Sequence, residues 1–187
     1  DEILASTHDK WRGMTLETNV TDASNGLSEW ITYREVELFL FKEAELADTH
    51  QFQAWFSLFT QDLLYWVPCN NDDAEIGKQI ALINDNRAEL DERLFRLGTK
   101  HAHAQSPRSR LSRIVSNIVL ADDYRRETGG QVTSRVLVTE VRNGKTEHWA
   151  GRVTHLLVRQ DGVLRMREKR VYLAANDQVL PNLTFII

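Results

Sequence analysis

The 187-residue chain is poor in cysteine and proline, with one Cys and three Pro. Because Cys69 is alone, the chain forms no intramolecular disulfide and cannot by itself hold an iron–sulfur cluster that needs several thiolates. A structural zinc site with two or more thiolates is excluded for the same reason. A chain without disulfides is typical of a reducing compartment, so we expect a cytoplasmic protein.

Positive charge is not in excess, since the sequence has 23 Lys and Arg and 27 Asp and Glu, which gives a net charge of −4. This balance does not favour nucleic acid or an anionic membrane as a partner. No apolar run approaches the ~20 residues of a membrane helix, and no secretory signal is visible at the first residues. A hydrophobic fraction of 42% and a charged fraction of 27% are typical of a globular protein.

Several catalytic and nucleotide-binding motifs are also absent from the sequence. It contains no glycine-rich phosphate loop, no Rossmann fingerprint and no Gly-x-Ser-x-Gly nucleophile elbow. Cys69 follows Pro68 in a polar stretch without a recognisable base, and we interpret it as unreactive. Function must therefore be sought in the fold and in smaller groups of residues.

Helical patterns dominate the first half of the chain. Residues 1–28 are polar and predict an N-terminal arm, whereas residues 29–187 predict a single domain. Helical periodicity begins at Ser28, and Asp48-Thr49 resembles the N-cap of a second helix. One aromatic face of that helix would comprise Phe52, Trp55, Phe56 and Phe59. Residues 84–97 predict a third helix, with Asn86 and Glu89 at capping-box spacing.

Strand patterns dominate the second half. The segments with a period of two are residues 113–120, 132–141, 146–159 and 163–173. Asn143-Gly144 and Asp161-Gly162 predict tight hairpin turns, so the strands should form an antiparallel meander. A shorter strand is expected at residues 63–67, and the apolar residues 183–187 should be buried. Helices followed by a long sheet predict an α+β fold, in which a strongly curved antiparallel sheet wraps the helices as a cone with a pocket.

Two kinds of chemistry fit such a pocket. His101 and His103 are two residues apart and could bind a metal with a carboxylate, or could lie at a loop rim. Asp62 and Tyr65, with these histidines, are the candidates for general acid–base catalysis. Alternatively, the aromatic side chains fill the cavity and make it a core.

Charged and histidine residues on the predicted strands have simpler interpretations. His148 and His155 lie on opposite faces of one strand and are expected to be structural. Arg165, Arg167 and Lys169 alternate along another strand, which predicts a solvent-facing row. The arginine-rich stretch from Arg87 to Arg113 lacks most of the aromatic residues needed to stack bases, so it favours a protein partner or a solvated face.

Several segments together resemble one known family. They are residues 33–40, 43–48, 65–68 and 108–118, the pair Gly151-Arg152, residues 170–173 and the apolar end of the chain. Over about residues 29–187 the chain resembles the small (β) subunit of Rieske non-haem-iron aromatic-ring-hydroxylating dioxygenases.

The resemblance implies a nuclear-transport-factor-like, cystatin-like cone fold and a place in an α3β3 hexamer with a large (α) subunit. The large subunit would carry the Rieske 2Fe–2S cluster and the mononuclear non-haem iron. Electrons would come from NADH through a reductase, in some systems with a ferredoxin. The holoenzyme would add dioxygen to an aromatic ring in aromatic-compound catabolism.

For this chain the resemblance implies a non-catalytic structural subunit with no catalytic, cofactor or metal residues. Arg108, Arg110 and Arg113 cluster before a strand, and we expect them to help the contact with the large or a neighbouring small subunit. The large subunit would determine which aromatic compound is oxidised, and whether the product is a cis-diol or a phenol.

Two alternatives from other classes remain at this point. One is a free-standing lyase, isomerase or hydrolase that uses an acid–base pocket inside the cone. The other is a homodimeric module that docks a peptide or protein on its sheet. The first requires an open pocket with inward-pointing Asp62, Tyr65 or a histidine, and the second requires no pocket.

Overall fold

The computed structural model describes residues 20–69, 80–99, 107–178 and 182–187. The elements in this part of the chain are α1 (Val20–Asp48), α2 (Phe52–Phe56), β1 (Phe59–Pro68), β2 (Ala81–Asp85), α3 (Arg87–Gly98), β3 (Arg110–Leu120), β4 (Gly129–Arg142), β5 (Lys145–Gln160) and β6 (Val163–Leu173).

The chain divides into two units between Glu35 and Val36. In the first unit, α1 begins at Val20, whereas the periodicity predicted a start at Ser28. A helix that is already nucleated gains one hydrogen bond for each residue added, so it extends through residues of modest propensity. The predicted division between residues 28 and 29 stays a prediction. All strands and the remaining helices belong to the second unit, Val36–Ile187.

The described strands of the second unit form one six-stranded sheet in the order β2-β1-β6-β5-β4-β3. Strands β3 to β6 pair antiparallel with their chain neighbours, which confirms the predicted meander. Both predicted hairpins are present: Asn143 and Gly144 have φ of 51° and 73°, and Asp161 and Gly162 have φ of 51° and 75°. Two successive left-handed residues match the right-handed twist of the flanking strands.

Strand β1 extends the meander on the β6 side. It runs parallel to β6 and antiparallel to β2. The predicted strand at residues 63–67 lies within β1, but β2 was not predicted. Only five residues long and ending in Asn84-Asp85, β2 lacks a clear alternation of apolar and polar residues.

The capping box at the start of α3 is confirmed, but the helix begins at Arg87 and not at residue 84, because Asn84 and Asp85 pair with β1 as part of β2. The Asn86 side chain accepts hydrogen bonds from the main-chain N–H groups of Ala88 and Glu89, and the Glu89 carboxylate accepts from the N–H of Asn86 at 2.8 Å. The predicted second helix is shorter than expected, because α2 ends at Phe56 and Phe59 opens β1. Its N-cap is Gln51, so the assignment of Asp48-Thr49 as a cap was wrong.

The core of the second unit lies between the inner face of the sheet and the helices. Val36, Leu40, Ala44 and Ala47 of α1 are buried in it. The residues at the end of the chain, Phe185, Ile186 and Ile187, are buried as predicted. Tyr65 holds them in place, since its hydroxyl donates to the main-chain oxygen of Ile187 at 2.7 Å and accepts from the Ile187 N–H at 3.0 Å.

Candidate functional site

The inner face of the sheet carries a polar row across its middle. Register pairs His155 of β5 with Lys169 of β6, and Lys169 with Tyr65 of β1. All three side chains are buried. A pocket enclosed between the helices and the sheet would open on this face, so the geometry of the row decides between the open alternatives.

A β-bulge brings Lys169 into this row. The register of β5 with β6 shifts so that Leu156 pairs with Glu168 and Leu157 pairs with Met166, which leaves Arg167 as an extra residue. One extra residue reverses which face the following side chains occupy. The prediction of a solvent-facing row was therefore wrong for Lys169, which is buried, whereas Arg167 is exposed.

Glu43 of α1 neutralises the buried lysine. Its Oε1 accepts hydrogen bonds from Lys169 Nζ and from Trp55 Nε1, each at 2.6 Å. Burial raises the pKa of Glu43, but the charge and hydrogen bond of Lys169 outweigh burial and hold that pKa below its ordinary value. Burial lowers the pKa of Lys169, and Glu43 opposes the shift. The pair is an ion pair that joins helix to sheet.

His155 beside this pair is neutral. Both ring nitrogens are buried without a hydrogen-bond partner in the described part of the chain. Burial and the nearby Lys169 charge lower the pKa of His155 to about 3, against the opposing charge of Glu43. The expectation that His148 and His155 face opposite sides of the strand is met, since His148 is exposed.

The space around these groups is too small for a substrate. The cavity lined by Glu43, Arg113, His155 and Lys169 has a volume of about 10 Å³, which is roughly the volume that one water molecule needs. Ligand sites usually measure ~300–1,000 Å³. Trp55 and Tyr65 are fully buried beside this cavity, and their ring centroids lie 5.6 Å and 5.9 Å from Lys169 Nζ. The interior is therefore a core, as the filled-cavity alternative expected.

The residues predicted for acid–base chemistry do not meet in this interior. Asp62 lies in β1, where it is exposed and paired with Arg167 at 2.5 Å. Burial raises the pKa of Tyr65, whose hydroxyl is committed to Ile187. His101 and His103 lie outside the described residues.

The described residues contain neither a candidate metal cluster nor a candidate membrane helix. Over residues 20–69, 80–99, 107–178 and 182–187, no three His, Cys, Asp or Glu residues are grouped so that they could hold a metal ion. None of the described helices is both long enough and apolar enough to cross a membrane.

The three arginines proposed for a subunit contact occupy different environments. Arg108 and Arg110 are exposed at the start of β3. The side chain of Arg113 is only 2% exposed, and its guanidinium bonds the carboxylate of Asp48 and the main-chain oxygen of Ile186. Its main-chain N–H also donates to Asp48 at 2.7 Å. Arg113 thus ties α1 and the end of the chain to the edge strand.

Sequence reasoning missed the ion pair of Glu43 and Lys169. A signal was available for Glu43, which lies three residues after Leu40 and seven after Val36, on the buried stripe of α1. No comparable signal existed for Lys169, because the bulge that turns it inward depends on pairing between strands.

Comparison with known proteins agrees with this geometry. Residues 42–179 match the family model described as "Ring hydroxylating beta subunit". The small oxygenase component of the p-cumate 2,3-dioxygenase system of Pseudomonas putida is 37% identical over 81% of this chain and 84% of its own length.

Solved structures show the same fold. The β subunit of benzoate 1,2-dioxygenase from Burkholderia mallei has a TM-score of 0.67 at 23% identity, covering 82% of this chain and 96% of that one. A chain of naphthalene 1,2-dioxygenase has a TM-score of 0.73 at 19% identity, covering 91% and 95%. These likenesses confirm the predicted α+β cone fold. The match over residues 42–179 and the 37% identical relative together establish that this chain belongs to the family of ring-hydroxylating dioxygenase β (small) subunits.

Proposed function

We propose that this chain is the non-catalytic assembly subunit of a multicomponent aromatic-ring-hydroxylating dioxygenase in the cytoplasm. The observation that carries the proposal is the filled interior, where a cavity of about 10 Å³ beside Glu43, Lys169 and His155 leaves no room for an aromatic ring. Because the described residues leave no substrate-sized cavity between the helices and the inner face of the sheet, we infer that the chain acts through its outer surfaces.

The large subunit is the partner that carries the chemistry. It holds the Rieske cluster and the mononuclear iron and receives electrons from NADH through a reductase, with or without a ferredoxin. Three large and three small subunits form the hexamer, and this chain holds the large subunits in position. The p-cumate relative suggests an aromatic carboxylate as the first substrate class to test.

Arg108 and Arg110 are the contact residues of this proposal, because both are exposed at the start of the edge strand β3. Their guanidinium groups suit bidentate pairing with carboxylates of another chain. Arg113 supports the same strand from inside through Asp48 and the oxygen of Ile186. Its role in the contact is therefore to position β3.

The test separates assembly from chemistry. The large subunit is co-expressed with either the native chain or the His155→Leu variant, and oxygen uptake with aromatic carboxylates such as p-cumate is measured per assembled complex. We expect equal turnover per complex, because no reacting atom reaches the interior. Loss of turnover in a fully assembled variant complex, with iron content unchanged, would assign chemistry to this chain and overturn the proposal.

A further inference from the structure

Two of the side chains that line the small cavity on the inner face of the sheet have polar atoms without a partner. The cavity has a volume of about 10 Å³, and both Arg113 and His155 line it. Arg113 Nε and the two ring nitrogens of His155 are buried and make no hydrogen bond within the described residues. The Arg113 side chain is 2% exposed and His155 is 3% exposed. Because an unpaired buried polar atom costs free energy, these atoms indicate a ligand in the cavity.

The two side chains offer that ligand a donor and an acceptor. The terminal guanidinium nitrogens of Arg113 already donate to the carboxylate of Asp48 and to the main-chain oxygen of Ile186, so the Nε–H group is the donor left without an acceptor. His155 is neutral, because burial and the nearby Lys169 charge lower its pKa to about 3. A neutral imidazole has one N–H donor and one nitrogen that accepts. The ligand must therefore both accept and donate hydrogen bonds.

The charges and the size of the cavity favour a small neutral ligand. Arg113 is paired with Asp48, and Lys169 is paired with Glu43 at 2.6 Å. Glu43 lines the cavity together with the two cations, so an anion would meet its carboxylate, and a cation would meet two positive charges. A cavity of ~10–15 Å³ holds one water molecule and nothing larger.

We propose that this cavity is the binding site of a single water molecule, which accepts a hydrogen bond from Arg113 Nε–H and donates one to a ring nitrogen of His155. Arg113 belongs to β3 and His155 to β5, and these strands are not neighbours in the sheet because β4 lies between them. The water therefore links β3 to β5 across the inner face of β4. A buried water held in this way is a fixed part of the fold. The inference concerns the chain itself and does not depend on assembly with a large subunit.

A crystal structure of the full chain gives the first test. At a resolution that shows ordered water, the cavity should contain one isolated density peak, within ~2.7–3.2 Å of Arg113 Nε and of one ring nitrogen of His155. Crystals soaked in sodium bromide should show no anomalous signal at this position. A cavity without density would overturn the proposal, and a bromide peak inside it would show that the ligand is an anion.

Nuclear magnetic resonance of the isotope-labelled full chain gives the second test. We expect cross-relaxation between the Arg113 Nε–H and a water molecule that stays bound for longer than the chain takes to tumble. His155→Phe keeps a ring of similar size but removes both nitrogens, so this signal should be lost. His148→Phe is the matched control, because His148 is an exposed histidine of the same strand, and this variant should keep the signal.

Amide spectra of the two variants check that the fold is retained. A signal of unchanged strength in a folded His155→Phe chain would remove the histidine from the site and overturn the link between β3 and β5. If His155→Phe does not fold, the density in the native crystal decides: a peak bonded to both Arg113 and His155 supports the proposal, and any other result overturns it.

Discussion

Lys169 Nζ lies 2.6 Å from Oε1 of Glu43, and both side chains are buried where α1 meets β6. The two residues are 126 positions apart in sequence. Trp55 donates to the same oxygen, so one carboxylate joins α1, the α2 helix and the sheet. Burying charges costs free energy, and the pair is tolerated because each charge has its partner.

Breaking this pair should destabilise the chain strongly. Lys169→Met leaves the Glu43 carboxylate buried without its counter-ion, so we expect the free energy of unfolding to fall by about 3–5 kcal/mol. Urea denaturation measures the change. Arg167→Met, which removes the neighbouring exposed cation of β6, is the control and should cost about 1 kcal/mol or less.

The double variant Glu43→Leu/Lys169→Met tests whether the two effects are coupled. Because neither charge is then left alone, the double variant should be destabilised by clearly less than the sum of Glu43→Leu and Lys169→Met. Additive losses would contradict a direct interaction between the two side chains.

Stability should fall with acid between pH 6.5 and about 3 because of His155. Its pKa in the folded chain is about 3, against an ordinary value of 6.5. In that window the unfolded chain binds a proton that the folded chain does not, so stability rises with pH and is lost as pH falls. One such proton changes the unfolding free energy by about 1.4 kcal/mol per pH unit.

Comparing pH profiles of unfolding isolates the histidine. His155→Leu should reduce the slope between pH 4 and 6 by about one proton per molecule. His148→Leu, which removes an exposed histidine of the same strand, should leave the slope unchanged. Equal slopes in all three chains would show that His155 is not held neutral by burial.

The hydroxyl of Tyr65 should stabilise the end of the chain. Tyr65→Phe leaves the Ile187 N–H and oxygen without their buried partner, and we expect a loss of about 1–3 kcal/mol. Hydrogen exchange should also become faster at Ile187. Tyr172→Phe is the control, because within the described residues the Tyr172 hydroxyl has no hydrogen-bond partner. Unchanged exchange at Ile187 in Tyr65→Phe would contradict the proposed anchoring.

The exposed arginines should affect assembly more than folding. Arg108→Ala/Arg110→Ala should lower the amount of large subunit that co-purifies, while thermal unfolding of the small chain stays nearly the same. Lys42→Ala/Lys145→Ala, which also removes two exposed cations, is the control. Arg113→Ala should instead destabilise the chain itself, because that side chain is buried against Asp48. Full co-purification of the Arg108/Arg110 variant would exclude these residues from the contact.

The fold was largely predictable because its strongest determinants are local. Asn143-Gly144 and Asp161-Gly162 fix two hairpins through left-handed backbone angles, and Asn86 with Glu89 fixes the start of α3. Strand β2 was missed because five residues ending in two polar ones carry little pattern. The start of α1 was missed because helix extension depends on the neighbouring turn rather than on apolar periodicity.

The interior was less predictable because it depends on contacts between distant residues. The inward side of Lys169 follows from the bulge at Arg167, which arises only when β5 and β6 pair. Asp62 matched a catalytic residue by type, yet its strand places it at the surface beside Arg167. Residue type and spacing therefore suggested an acid–base pair, while packing produced a filled core.

The mass and iron content of the purified complex decide whether this chain is an assembly subunit. The chain is co-expressed with its cognate large subunit, and the purified complex is measured by size-exclusion chromatography with light scattering and by an iron assay. We expect a mass of three large plus three small chains, with iron absent when the large chain is omitted. A discrete small-chain dimer that ignores the large subunit, or iron that stays with the small chain alone, would contradict it.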